Sequence, residues 1–308
     1  MSVVFWKELA DHFSSLRFVI LMAIILLLGV WAVYAAGQSI RQDVENVSAD
    51  FAFLSLLTSQ GGSLFSLATF LSLLGPLVGI MLGFDAISGE YARGTLSRVL
   101  SQPIYRDSFI NGKFLAGLAT VAVLWSSILF LVIGLGINLV GFAPNAEELW
   151  RMLIFTVVGI VYVGFWLALA LLFSLLFQRT VTAALACLAL WLFLTIFAPV
   201  ISQIVAGSIM ADPTTPEAVL RQLDIQNMLD RIISPATLYG ETVQVVLNPM
   251  ARGVGAALPE QTQGILLTPL QLRDSLLLIL PQFTALIALV GVCFGICYIK
   301  FMRTEIRA

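Results

Sequence analysis

The chain has 308 residues, of which 59% are apolar and only 11% charged, with a net charge of −2. A soluble domain carries about 25% charged residues, so this composition excludes a soluble enzyme or binding module, and the lack of any basic block argues against nucleic acid as a partner. The three cysteines, Cys187, Cys293 and Cys297, fall in apolar stretches, which argues against a disulfide framework. Cys293 and Cys297 share a helical face, with no third soft ligand nearby to complete a metal site.

Residues 1–17 read as an amphipathic helix lying in the membrane surface. Phe5, Leu9, Phe13 and Leu16 form one face, with Lys7, Glu8, Asp11 and His12 on the others. His12, the single histidine, is expected to be solvated. Residues 18–36 are uncharged and long enough to cross a hydrocarbon core of about 30 Å. The apolar run exceeds the roughly 7–15 residues of a signal-peptide core, so it reads as a retained first span. Residues 37–62 read as a polar connector.

The second span, 63–84, carries Gly75, Gly79 and Gly83 at four-residue spacing. Small residues at that interval let another helix backbone approach closely, which predicts a packing seam, either within one copy or between copies. A short charged segment, 85–113, follows. The remaining spans are predicted at 114–140, 152–177, 181–205 and 275–301. Asn145, Glu147 and Glu148 mark one short turn, and Gln178 to Thr180 another. Between spans five and six lies a long polar loop, 207–274, with a predicted helix over 216–233. The fold class is all-α integral membrane: six transmembrane helices in one domain, 1–308, with a surface helix at one end and a helical extracytoplasmic loop.

Orientation follows from cations in short loops. Lys7, Arg17, Arg93, Arg98, Arg106, Lys113, Arg179, Lys300, Arg303 and Arg307 fall on one side, against Arg41 and Arg151 on the other. The first side is expected to be cytoplasmic, with both termini and the 85–113 segment; the 207–274 loop is expected outside. No ionisable residue falls in the centre of a predicted span, which weakens ion-coupled transport and a charge-lined pore. There is no His-Glu-x-x-His and no Gly-x-Ser-x-Gly. Gly112-Lys113 is not a phosphate loop, because Phe114 stands where Ser or Thr belongs. No catalytic, cofactor or metal residues are expected, so any ATP would be bound by another chain.

The charged segment is the most informative stretch. Thr95 is predicted to cap a short helix carrying Leu96, Val99 and Leu100, which Pro103 stops; Asp107 or Ser108 is predicted to cap the next span. A positively charged tether would explain the arginines but not Glu90, Gly94-Thr95, Pro103, Tyr91 and Tyr105 in so short a space. The run Phe84-Asp85-x-Ile87-Ser88-x-Glu90-x-x-x-Gly94-Thr95-Leu96-x-x-Val99-Leu100-Ser101-x-Pro103-Ile104-x-Arg106, ending at Gly112-Lys113, resembles the signature of ABC-2 type permeases, the membrane subunits of ATP-binding-cassette exporters. The topology is similar throughout, most of all to the subgroup that includes the permease used in maturing nitrous oxide reductase.

The resemblance implies a homodimer, or a dimer with a similar permease. It also implies two ABC ATPase subunits on the cytoplasmic side, which hold the ATP and Mg. It makes Glu90, Arg93, Gly94, Thr95, Leu96, Leu100, Pro103 and Arg106 the ATPase-coupling interface, braced by Phe5, Leu9 and Phe13. The implied function is export of an apolar or amphiphilic cargo. The alternatives are a non-transporting subunit that passes ATP-driven motion to an outer partner at 207–274, or processing of copper or sulfur species. An ion-coupled carrier or channel, active from this chain alone, is a third reading.

Overall fold

The computed structural model describes residues 2–42, 51–61, 65–95, 105–209, 216–250 and 269–303. Among these there are helices and no strands, and six helices are long and apolar enough to cross a membrane. In lipid every backbone amide needs an internal partner, and a helix supplies it locally. The surface helix is α1 (Ser2–Ser14), followed by α2 (Leu16–Gln42) and a short α3 (Ala52–Thr58). Next come α4 (Leu67–Gly83), the elbow helix α5 (Ser88–Ala92), α6 (Arg106–Val140) and α7 (Ala146–Leu176). The chain ends with α8 (Thr180–Ile209), α9 (Pro216–Ile233), α10 (Pro235–Leu247) and α11 (Leu272–Arg303).

The bundle is built around α7, which is buried along most of its length and contacts α4, α6, α8, α10 and α11. Its closest neighbour is α4, and the three glycines are the reason. A Cβ on Gly79 would lie 2.7 Å from the Val163 carbonyl oxygen and 2.9 Å from the Leu167 nitrogen; one on Gly83 would lie 2.7 Å from the Ala170 Cβ. The seam lies within one copy of the chain, backbone against backbone. By contrast, α8 and α11 leave most of their apolar side chains on the outside of the bundle. Near its middle α8 widens into a π-helical turn at Phe193–Phe197.

Several helices begin or end beyond their apolar runs. α2 continues to Gln42 because Arg41 donates to the carbonyls of Leu139 and Asn138 (2.7 and 3.1 Å), closing the end of α6. α6 starts at Arg106, and α7 starts at Ala146 behind a capping box in which Asn145 and Glu148 satisfy each other's backbone amides. The predicted connector 37–62 is not uniformly polar. Its segment Ala52 to Thr58 forms α3, whose Phe53, Leu54, Leu56 and Leu57 are buried in the bundle. The predicted helix 216–233 corresponds to α9, but α10, which follows it, was not foreseen. That helix is tucked against α7 and α11, with Tyr239 stacked on Tyr162 at 4.3 Å between ring centroids.

The glycine seam has a direct test. Gly79→Ala places a methyl against backbone that cannot yield, at a cost of about 1–3 kcal/mol. Gly134→Ala, where a Cβ meets open space, is expected to be neutral. Unfolding of the detergent-solubilised protein should separate the two variants.

Candidate functional site

At the α1 end of the bundle, α4 finishes at Gly83 and the chain turns sharply into α5. Ser174, a buried hydroxyl on α7, accepts from the backbone amides of Ile87 and Ser88 at 2.9 Å each. It also donates to Ser88 Oγ at 3.2 Å. These bonds satisfy the amides at the start of α5 and pin the elbow to the central helix. The elbow closes at Gly94, whose φ of +65° is left-handed and favours glycine. Thr95 folds back, its amide donating to the Glu90 carbonyl at 3.0 Å.

The elbow's carboxylate points inward. Glu90 is 6% exposed, and its Oε1 lies 2.9 Å from the ammonium of Lys113 on α6. The same ammonium lies 2.8 Å from Oε1 of Glu8 on α1 and 4.9 Å from the centroid of the Phe109 ring. One buried cation thus joins three segments distant in sequence. Gly112 makes the geometry possible, since a Cβ there would meet Val4 at 2.9 Å; α1 settles onto α6 through that gap.

A cavity of about 370 Å³ opens beside this bridge, lined by His12 and by charged groups that include Glu8, Arg17, Asp85, Glu90 and Arg93. Burial opposes ionisation of Glu8, but Lys113 outweighs it and holds the carboxyl below the ordinary carboxylate range. Burial pushes the His12 imidazole down, against the opposing pull of Glu8. On Lys7 burial is outweighed by Glu8 and Asp11, and the ammonium is raised. The Arg17–Asp85 pair at 3.7 Å is exposed and contributes little. A shallower groove of about 630 Å³ lies between α5 and the α7–α8 turn, lined by Tyr91, Ala92, Gln178, Arg179 and Thr182 among others.

The structure therefore divides the predicted coupling residues. Arg93 and Gly94 are exposed, whereas Glu90 is an internal strut. Arg106 is the first residue of α6 and half-buried. Leu96, Leu100 and Pro103, with the helix that Thr95 was predicted to cap, lie outside the described residues. Neither Asp107 nor Ser108 caps α6, because the helix begins earlier, behind Tyr105. Asp107 sits in the first turn, where its charge suits the helix dipole. On α1, Phe5 and Leu9 are half-buried and Phe13 is exposed, while the inward face carries Val4 and Glu8. His12, expected in solvent, is half-buried in the cavity wall.

The opposite end has its own polar hub. Arg151, expected in a loop, is fully buried on α7. Its Nε and Nη2 donate to Glu147 Oε1 at 3.0 and 2.9 Å, and Nη2 also to the Leu270 carbonyl at 2.6 Å. Nη1 reaches the Val246 carbonyl at 3.0 Å and Ser275 Oγ at 3.2 Å. Glu148 accepts from the Phe53 amide at 2.9 Å, so the start of α7 gathers α3, α10 and α11. On the long loop, Arg231 pairs with Glu241 at 2.8 Å.

The family model described as ABC-2 family transporter protein matches residues 2–306. The chain belongs to the ABC-2 transporter family. Among curated relatives, a probable ABC transporter permease protein NosY from Stutzerimonas stutzeri is 40% identical over 108 residues. A protein of the same name from Pseudomonas aeruginosa is 38% identical over 113 residues. Each alignment spans 35% of this ABC-2 protein and 35% of the relative, about a third of the length of the curated relatives it matches. With six apolar helices, the chain is a multi-pass membrane protein of that family.

Two measurements test the bridge. Lys113→Met leaves Glu90 buried without its cation and Glu8 with only the exposed Lys7 at 3.4 Å, and is expected to cost about 3–5 kcal/mol. Glu8→Gln or Glu90→Gln keeps one carboxylate on the ammonium and should cost about half as much or less, while the double variant should cost more than the sum of the singles. The second test is pH. His12 binds its proton less readily folded than unfolded, so folding stability falls as pH drops through the ordinary imidazole value of 6.5. His12→Gln should remove that part of the loss. The Glu8 contribution, with its depressed carboxyl, should persist until pH falls below the ordinary value of 4.5.

Proposed function

We propose that this chain is the permease subunit of an ABC-2 exporter in the cytoplasmic membrane. It forms the membrane path and is driven by two separate ATPase subunits, which hold the ATP and Mg; the chain itself catalyses nothing. The cation bias of the short loops supports placing both termini and the α1–α5 end in the cytoplasm. One observation carries the reading: Lys113 ties α1, α5 and α6 together through Glu8 and Glu90. A push on the exposed rim at Ala92 to Gly94 then reaches α4 directly, α6 through the ammonium and α7 through Ser174. The groove between α5 and the α7–α8 turn gives the ATPase a seat beside that rim.

Dimerisation with a second copy is part of the proposal, as is an apolar or amphiphilic cargo, because the described spans carry their ionisable groups near their ends. A second reading is favoured by α10. Its Val246 carbonyl is held by Arg151 and its Tyr239 is stacked on Tyr162 of the central helix. Movement of α7 would therefore be passed to the outer loop, as a subunit working on an outer partner requires. The resemblance to the permease used in maturing nitrous oxide reductase is consistent with that reading, and with processing of copper or sulfur species outside.

Arg93 separates coupling from folding, because its side chain is exposed. In the assembled complex, Arg93→Gln, which removes the cation without adding a carboxylate beside Glu90, is expected to reduce both transport and transport-linked ATP hydrolysis about tenfold or more, with nearly unchanged thermal stability. Wild-type values for both activities would contradict the coupling role.

A further inference from the structure

At the end of the bundle opposite α1, α7 and α11 start side by side and run in the same direction, with Arg151 bonded to Ser275 between them. On the outer side of the pair lies an apolar groove of about 610 Å³ lined by both helices. Its walls include Leu153 and Val157 from α7 and Leu276, Leu280 and Phe283 from α11, and Trp150 stands at its mouth, 60% exposed. Arg273, exposed in the first turn of α11, also lines it. Among the described residues Arg273 has no carboxylate within ion-pair distance. We infer that this groove is a binding site for one anionic glycerophospholipid, with the phosphate on Arg273 and an acyl chain between α7 and α11.

Charge, length and shape select that occupant. Two helix N-termini converge at the mouth, and their amide dipoles add to the guanidinium in favouring an anion. The neighbouring carboxylates are turned elsewhere: Glu147 is held by Arg151, Glu148 by its capping box and the Phe53 amide, and Asp274 does not line the groove. Arginine presents the fork geometry that suits a phosphate. From Arg273 to Phe283 the helix rises about 15 Å, which is half of a hydrocarbon core of about 30 Å, or one leaflet. Trp150 lies beside the cation, where aromatic residues gather at the membrane interface.

A second helix is the poorer occupant. Helices approach closely in membranes through small residues, as Gly75, Gly79 and Gly83 do against α7. The groove walls are Leu, Ile, Val, Phe and Trp, which leave a channel for a flexible chain and no flat path for a backbone. On the proposed orientation the site lies in the outer leaflet. It depends on the membrane-embedded fold and not on transport, so it stands or falls separately from the permease reading.

The full chain, delipidated in mild detergent, is offered equal amounts of phosphatidylglycerol, phosphatidylethanolamine and phosphatidylcholine with identical acyl chains, and retained lipid is read by native mass spectrometry. Wild type is expected to hold one phosphatidylglycerol per copy with about tenfold preference over phosphatidylcholine. Arg273→Gln should abolish the preference, and Leu280→Trp, which fills the groove, should abolish retention of all three. Equal retention of the three lipids by wild type, or phosphatidylglycerol retention unchanged in both variants, would overturn the site. A photoreactive amino acid at Leu277 should yield a lipid adduct in native membranes; an adduct to a second copy of the chain would overturn it instead.

Discussion

A single ammonium, buried on α6 and shared by two carboxylates, decides how one end of this bundle is built. Taking Lys113, Glu8 and Glu90 out of water is costly, and only close mutual contact offsets that cost. The contact dictates where α1 lies and how far the elbow can swing from α6. It also sets the charge of the neighbourhood: Glu8 and Glu90 share Lys113, Lys7 lies 3.4 Å from Glu8, and His12 and the exposed Arg17–Asp85 pair stand beside them. The elbow is held from its other side by one hydroxyl, Ser174. The elbow, at the edge of the bundle, is thereby joined to α6 and to the central helix α7.

The middle of the bundle works by a different physics. Between α4 and α7 there is little polar chemistry and no hydrophobic drive beyond what lipid already supplies, so close packing holds the helices together. Three glycines allow it, and Trp125 fills the remaining space beside Gly75. At the far end polarity returns, with Arg151 bonded to α10, α11 and the segment between them. Two buried polar hubs with an apolar seam between them form a continuous column along α7. Displacement at one end has a stiff route to the other.

The six spans could be read from hydropathy because each is a long uncharged run whose backbone has no alternative to helix in lipid. Their ends could not, because Lys113 and Arg151 look like loop charges until partners elsewhere in the chain bury them. The Glu8–Lys113 contact joins residues 105 positions apart, and nothing local announces it. The available clues were slight: Glu8 lies four residues after Val4 on one helix face, and Lys113 follows a glycine at the edge of an apolar run. Short buried helices were the other loss. α3 has too few residues for a periodic signal, and α10 mixes Glu241 and Thr242 with its valines, so both resembled loop. The glycine spacing, by contrast, pointed to a packing seam and left open whether its partner lay in the same copy; α7 of the same chain fills that place.

On the proposed function, α1 and the elbow move as one body when ATPase subunits act on the elbow. This can be measured with spin labels at Trp6 and Ala92 in the assembled, reconstituted complex, comparing nucleotide-free and ATP-bound states by pulsed electron resonance. One narrow distance that does not change between the states is expected. A distance that lengthens or splits on ATP binding would show that the Lys113 bridge opens during the cycle, and would contradict the one-body motion.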